Sequence, residues 1–299
     1  LLREPLSTEE EFFWNEQRIK NVNTVLDIIR LTVEDGNTVT KAHQDRLFEA
    51  EGLMVVLRLA FFIHTPNNTR LTALLTIADM IRSNSAIQHK FSQIDVPYWD
   101  PSMPSSPVSA ETKLVPVTTL LLSWTLNLNS VHIFDIRVAS LELLKSYFLE
   151  KDNRVSLLAD QIEKFNETSD SIESNTNASV LEPIFNYDPN LNLNPYKLFF
   201  STDLLMFFIS CDKSEGTTLS MLRDICFAGD IDDDDDEKMV AVQTVGELLI
   251  TSFNSKDIRI PISFLSFLIF WLYEDPVSVS QFLSNKSLIN SLVSFAVQV

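Results

Sequence analysis

An all-α array of stacked helical repeats is the fold class this sequence predicts, and three observations predict it. The stretch from His43 to Phe91 contains a polar helical start, Gly52, an apolar helix from Leu53 to about Ile63, a Thr65-Pro66-Asn67-Asn68 turn, and an amphipathic helix from about Arg70 to Arg82. The opening theme then returns: Gln44, four residues before Phe48, becomes Gln88, three residues before Phe91. That return comes after roughly 43 residues, the period of armadillo and HEAT-type repeats. Third, the run from Arg137 to Phe148 aligns without a gap on Arg70 to Ile81, setting Ser140 on Ala73, Leu141 on Leu74, Leu144 on Ile77 and Ser146 on Asp79. The expected architecture is an armadillo/HEAT-like right-handed solenoid, in which each unit buries its apolar face only against its neighbours.

Composition narrows the function. The chain has 299 residues, 45% of them hydrophobic, enough for a large core. Only 5 are glycine, which disfavours nucleotide folds built on glycine-rich phosphate turns. The net charge of −18 argues against nucleic acid and against an electrostatic hold on anionic lipid, and suits basic protein partners. The two cysteines, Cys211 and Cys226, form no Cys-x-x-Cys and are read as reduced thiols of a cytosolic chain. The N-x-S/T sequons at Asn67, Asn166, Asn177 and Asn285 are read as chance in an Asn/Ser-rich protein. The first residue is Leu1 and the last residues keep a helical pattern, so a piece of a longer chain is expected. The longest uncharged apolar run, Pro261 to Tyr273, is shorter than the roughly 20 residues of a membrane span. It is read as a helix buried on most sides within the array.

In chain order, Glu9 to Val33 carries Phe13, Ile19, Val22, Val25, Leu26, Ile29 and Val33 at helical spacing, and Gly36 is placed for a left-handed cap. Lys41 to Ala50 is a short first helix. In the helix from Arg70, Asp79 falls where many armadillo repeats carry a groove-facing Asn, or is only a solvated helix residue. Asp95 to Pro116 holds Pro97, Pro101, Pro104, Pro107 and Pro116 and predicts a surface insertion, a plain linker or a ligand for a proline-recognising module. Leu114 to Leu128 and Asp135 to Glu150 form the next helical pair, and Arg154 to Phe165 ends this half. Repeats are thus expected over 1–165, an Asn/Ser-rich acidic loop over 166–195, and further repeats of the same array over 196–299. Those further repeats are read as helices at Tyr196–Cys211, Leu219–Phe227, Lys238–Ser252, Pro261–Tyr273, Val277–Leu283 and Ser287–Phe295. The acidic loop at 229–238 contains Asp232, Asp233, Asp234, Asp235 and Asp236. It lacks the glycine and the final glutamate of an EF-hand, which leaves a solvated loop or a docking patch for a basic partner.

No catalytic pattern emerges. The histidines His43, His64, His89 and His132 are never paired four apart, and no nucleophile elbow or P-loop occurs. Catalytic, cofactor-binding and metal sites are expected to be none. If the last helices face a groove, its ladder reads Asp79, Ser146 and Glu247, with Leu75 and Glu142 where peptide-binding adaptors carry Trp.

The order of motifs resembles a known family. Phe13 to Val33, Phe48-Glu-Ala-Glu-Gly-Leu53, Ile77 to Asn84 with Gln88 to Phe91, Leu198-Phe-Phe-Ser-Thr-Asp-Leu-Leu205 and Phe270-Trp-Leu-Tyr-Glu-Asp-Pro-Val-Ser-Val-Ser-Gln-Phe-Leu283 occur in the order found in the globular head of the general vesicular transport factor family. The likeness covers nearly the whole chain, and the last two stretches are its most specific part. It implies an armadillo-type head that in the family precedes a coiled coil and an acidic tail. It implies vesicle tethering in ER-to-Golgi transport, on Golgi, ER-derived vesicle and ER membranes from the cytoplasmic side, as a peripheral protein. It implies a Rab-type GTPase, SNARE proteins and other Golgi tethering factors as partners, and a homodimer formed through the coiled coil. It implies no catalytic residue. The Asn166–Asn194 loop and the Asp run depart from the family, the sequence drifts from it over Met206–Ser220, and the first half of the family head has no counterpart here. The competing reading is an armadillo-type cargo adaptor or scaffold that binds an extended peptide in its concave groove.

Overall fold

The computed structural model describes residues 14–102, 113–128, 130–167, 178–188, 194–212, 216–227 and 239–298. They fall into two compact units, residues 1–150 with 176–178 and residues 151–175 with 179–299. Each is all-α and built from three-helix repeats, as the periodicity predicts.

In the first unit the helices are α1 (Glu16–Thr32), α2 (Thr40–Glu49), α3 (Gly52–Phe61), α4 (Asn67–Ile81) and α5 (Ser85–Ser92). Strands β1 (Asp95–Pro97) and β2 (Leu114–Pro116) precede α6 (Val117–Asn127) and α7 (Phe134–Tyr147). Helices α2, α3 and α4 make one repeat and α5, α6 and α7 the next. The last helices, α1, α4 and α7, stack side by side. The aligned positions are the stacking positions: Ala73, Leu74 and Ile77 on α4, and Ser140, Leu141 and Leu144 on α7, are all buried. Small residues at 73, 78, 139 and 140 let the backbones approach closely.

Of the helix predicted over Glu9–Val33, Glu9 to Phe13 lie outside the described residues, and α1 starts at Glu16. Asn15 adopts an extended conformation and its side chain accepts the backbone N–H of Arg18 at 2.8 Å, so the helix begins at Glu16. An asparagine cap outcompetes the apolar periodicity there. Gly36 is left-handed, φ +84°, but it lies in the turn beyond the helix, whose C-cap is Val33 with its N–H bonded to the carbonyls of Ile29 and Arg30, so it is not the cap expected.

The proline-rich insertion is rooted in structure. β1 pairs antiparallel with β2, Asp95 facing Pro116 and Pro97 facing Leu114. The pattern predicted helix from Leu114. Instead Leu114–Pro116 is strand and the helix starts at Val117, because the residue before a proline is pushed towards extended backbone. Pro104 and Pro107 lie outside the described residues.

The second unit comprises α8 (Lys151–Glu167), α9 (Glu182–Phe185), α10 (Pro195–Cys211), α11 (Thr217–Arg223), strands β3 (Cys226–Phe227) and β4 (Met239–Val240), α12 (Ala241–Ser252), α13 (Arg259–Leu272), α14 (Pro276–Ser284) and α15 (Lys286–Gln298). Here α10 and α13 are the stacked last helices. Two readings change. The helix expected to Phe227 ends at Arg223, and the one expected from Lys238 begins at Ala241, because Cys226–Phe227 and Met239–Val240 pair antiparallel. Gly246 marks the closest approach of α12 to the helices after it: a Cβ there would lie 2.8 Å from Phe282 and 2.9 Å from Leu288. Pro261 sits in the first turn of α13, where its missing N–H costs no helical bond.

Candidate interaction surface

The surface a repeat array offers is its layer of last helices, so its geometry depends on how each last helix is held. In the first unit two side chains recur for that purpose. Arg70 and Arg137, in the first turns of α4 and α7, are each only 2% exposed. Arg70 donates through Nε to the carbonyl of Ala60 at 3.1 Å, through Nη2 to those of Phe62 and Ile63 at 2.9 and 3.2 Å, and through Nη1 to Asn67 Oδ1 at 3.1 Å. Arg137 repeats this with the carbonyls of Thr125 at 3.0 Å and Leu126 at 3.3 Å. Both cations thus satisfy carbonyls at the C-terminal end of the preceding helix, the negative end of its dipole. Burial brings Arg70 down to about 10, still charged at neutral pH.

Gln44 and Gln88, the returning theme of the sequence, hold the other end of the last helices. Gln44 Nε2 donates to the carbonyls of Asp79 and Arg82, both at 2.9 Å. Gln88 Nε2 donates to those of Ile81 at 3.1 Å and Ser146 at 2.9 Å. Both glutamines are buried, so each removes two carbonyl groups from the list of unsatisfied acceptors. The sequence showed their recurrence but not this role, because a clamp on backbone carbonyls has no partner side chain to read.

The predicted groove ladder separates on inspection. Asp79 is half-buried and already engaged: Arg30 Nε donates to its Oδ2 at 2.8 Å and Arg82 Nη2 to its Oδ1 at 3.1 Å. It ties α1 to α4. Ser146 is buried, and its carbonyl is the Gln88 acceptor. Glu247 is exposed but lies on α12, a middle helix; the counterpart of α4 and α7 in that repeat is α13. Asp79 and Ser146 therefore belong to adjacent stacked helices, and Glu247 to a different layer of the other unit. Asp232, Asp233, Asp234, Asp235 and Asp236 lie outside the described residues. Two sequons serve as local acceptors: Asn67 for Arg70, and Asn285 Oδ1 for the backbone N–H of Leu288 at 2.9 Å.

In the second unit the most specific motif of the sequence forms a polar junction. Arg223 Nη1 donates to both carboxylate oxygens of Asp275 at 2.9 Å. Ser278 Oγ donates to Asp275 Oδ2, and Trp271 Nε1 donates to Ser278 Oγ at 3.0 Å. The junction fixes the sharp step from α13 to α14. Helix α13 itself departs from its reading as a helix buried on most sides. Phe264, Phe267, Leu268 and Trp271 are buried, but Ile262, Leu265, Ile269 and Tyr273 are 53%, 43%, 60% and 60% exposed. The composition of the run is apolar all round; only packing partners decide which side is covered, and those are not local.

Among the described residues no group of three or more His, Cys, Asp or Glu is placed to hold a metal ion. Among them, no helix is long and apolar enough to cross a membrane.

Comparison with known proteins agrees with the motif order. Residues 84–299 match the family described as Uso1/p115-like vesicle tethering protein, head region. The chain is 45% identical over 334 aligned positions to the intracellular protein transport protein USO1 of Saccharomyces cerevisiae, covering 100% of this chain and 18% of that protein. It is similar to two crystal structures, of Uso1-1 with TM-score 0.87 and 47% identity, and of Uso1-2 with TM-score 0.83 and 47% identity. It spans 44% and 43% of those chains.

Proposed function

This chain belongs to the Uso1/p115-like family of vesicle-tethering head regions, and from that premise we propose that it is a non-catalytic interaction scaffold of a tether acting in ER-to-Golgi transport. In this reading it engages a Rab-type GTPase and SNARE and other Golgi tethering factors, while the protein associates peripherally with Golgi, ER-derived vesicle and ER membranes from the cytoplasmic side. The observation that carries the reading is 45% identity to a transport protein across the whole chain. The fold supports it physically: stacked last helices clamped at both ends by buried Arg and Gln give a fixed surface that needs no cofactor. The adaptor alternative fares worse. Asp79, its one groove carboxylate on α4, is already held by Arg30 and Arg82.

The test is binding of the purified chain to the Rab-type GTPase of the ER-to-Golgi step, loaded with a GTP analogue or with GDP. Tighter binding of the GTP form is expected. Equal or absent binding removes the GTPase from the role of these repeats.

A further inference from the structure

The root of the proline-rich insertion has a second set of contacts. Trp99, just past β1, is buried between the ends of two middle helices. Its Nε1 donates to the carbonyl of Phe61, the last residue of α3, at 3.1 Å. Its own carbonyl accepts Nε1 of Trp124 on α6 at 2.9 Å. The two indoles meet edge to face, centroids 5.2 Å apart at 80°, and Phe61 lies 5.2 Å from Trp124. The Arg70 guanidinium sits 4.6 Å over the Trp99 ring. Four consecutive carbonyls at the end of α3 are thus met by side-chain donors: Ala60, Phe62 and Ile63 by Arg70, and Phe61 by Trp99. The insertion is fixed on both sides of this point. Val117 N–H donates to Ile94 O at 2.9 Å and Tyr98 N–H to Lys113 O at 2.9 Å, around the β1–β2 pair.

Two repeats that touch along their last helices alone can still hinge about that line. A second contact away from the line removes the hinge, and its thickness sets the angle. The last-helix contact between α4 and α7 is close-packed through small residues. The second contact, between the ends of α3 and α6, contains an indole brought in by the insertion. We propose that Trp99 is a wedge that sets the angle between the repeat α2–α4 and the repeat α5–α7, and with it the spacing of half-buried side chains such as Leu75 and Glu142 across the stacked last helices. The insertion is then a spacer built into the layer of middle helices rather than a tether between helices.

The test measures that angle in the whole chain. Spin labels at Met54→Cys on α3 and Asn127→Cys on α6, in a Cys211→Ser/Cys226→Ser background, report the distance between repeats. A pair at Arg46→Cys and Met54→Cys reports the distance within one repeat. Trp99→Ala is expected to shift or broaden the first distance and leave the second unchanged. Trp99→Phe, which keeps an aromatic ring at the site and loses the Nε1 donor, is expected to keep both. An unchanged first distance in Trp99→Ala overturns the wedge. So does an equal shift in Trp99→Phe, which would move the role from bulk to the hydrogen bond, and so does joint broadening of both pairs. If Trp99→Ala fails to fold, Trp99→Leu, a thinner wedge, takes its place under the same criteria.

Discussion

The last helices of the two units face the same problem, the turn from a middle helix into a last one, and answer it with opposite electrostatics. In α4 and α7 the first-turn arginine is buried against backbone carbonyls. In α13 the first-turn arginine, Arg259, lies at the surface, paired with Asp257 and stacked 4.7 Å over the Tyr196 ring. The second unit buries its ionic contact one step later, where Arg223 holds Asp275 and the α13–α14 step. A buried cation is tolerable where several oriented carbonyls replace its hydration, and it then fixes the geometry of whatever carries those carbonyls. A surface pair keeps its water and fixes little.

The comparison breaks if removing either arginine costs the same. Arg70→Met is expected to destabilise the first unit by about 3–4 kcal/mol, since it strands buried carbonyls. Arg259→Ala should cost the second unit less than about 0.5 kcal/mol. Urea unfolding, with hydrogen exchange reporting each unit separately, measures both. Asp275→Ala sharpens the contrast by removing the second unit's own buried acceptor and leaving its donors Arg223 and Ser278 without it. A loss of about 2–3 kcal/mol is expected, with a change in Trp271 fluorescence as the Ser278 bond is released. Gln88→Leu, which leaves the Ile81 and Ser146 carbonyls without that donor, should cost about 1–2 kcal/mol in the same unfolding assay.

The smallest effect concerns pH. The hydrogen bond from Arg259 holds the Asp257 carboxyl below its usual range. A carboxyl depressed in the folded state contributes stability above its unfolded value near 4, and loses it as pH falls through the lower folded value. Asp257→Asn should therefore flatten the acid limb of the stability profile by a few tenths of a kcal/mol only, because the pair is solvent-exposed. Urea midpoints between about pH 5 and 2 give the slope.

Much of this was legible because repeats write themselves twice. The match of Arg70–Ile81 to Arg137–Phe148 located both stacked helices and their core positions, and the return of Gln44 as Gln88 marked the clamps. What stayed hidden depended on competition or on distant partners. The Asn15 cap shortens α1 through one side-chain bond that apolar spacing ignores. Trp99 sits among prolines, where no period exists to give it a place in a core. Ile262, Leu265, Ile269 and Tyr273 carry the same apolar signal as their buried neighbours on the run, so sequence alone places most sides of the helix inward. The sequence leaves Asp79 as a groove position or a solvated helix residue and not as an ion-pair partner, because Arg30 lies 49 residues away.

The pairing of Asp95 with Pro116 has a consequence for engineering. It brings the two ends of the insertion side by side and anchors both. Doubling such a loop costs only about 0.6 kcal/mol in closure entropy. A fluorescent protein or an affinity module whose termini lie close together is therefore expected to be accepted between Ser102 and Lys113 with the β1–β2 pair kept, which circular dichroism and urea unfolding of the fusion check.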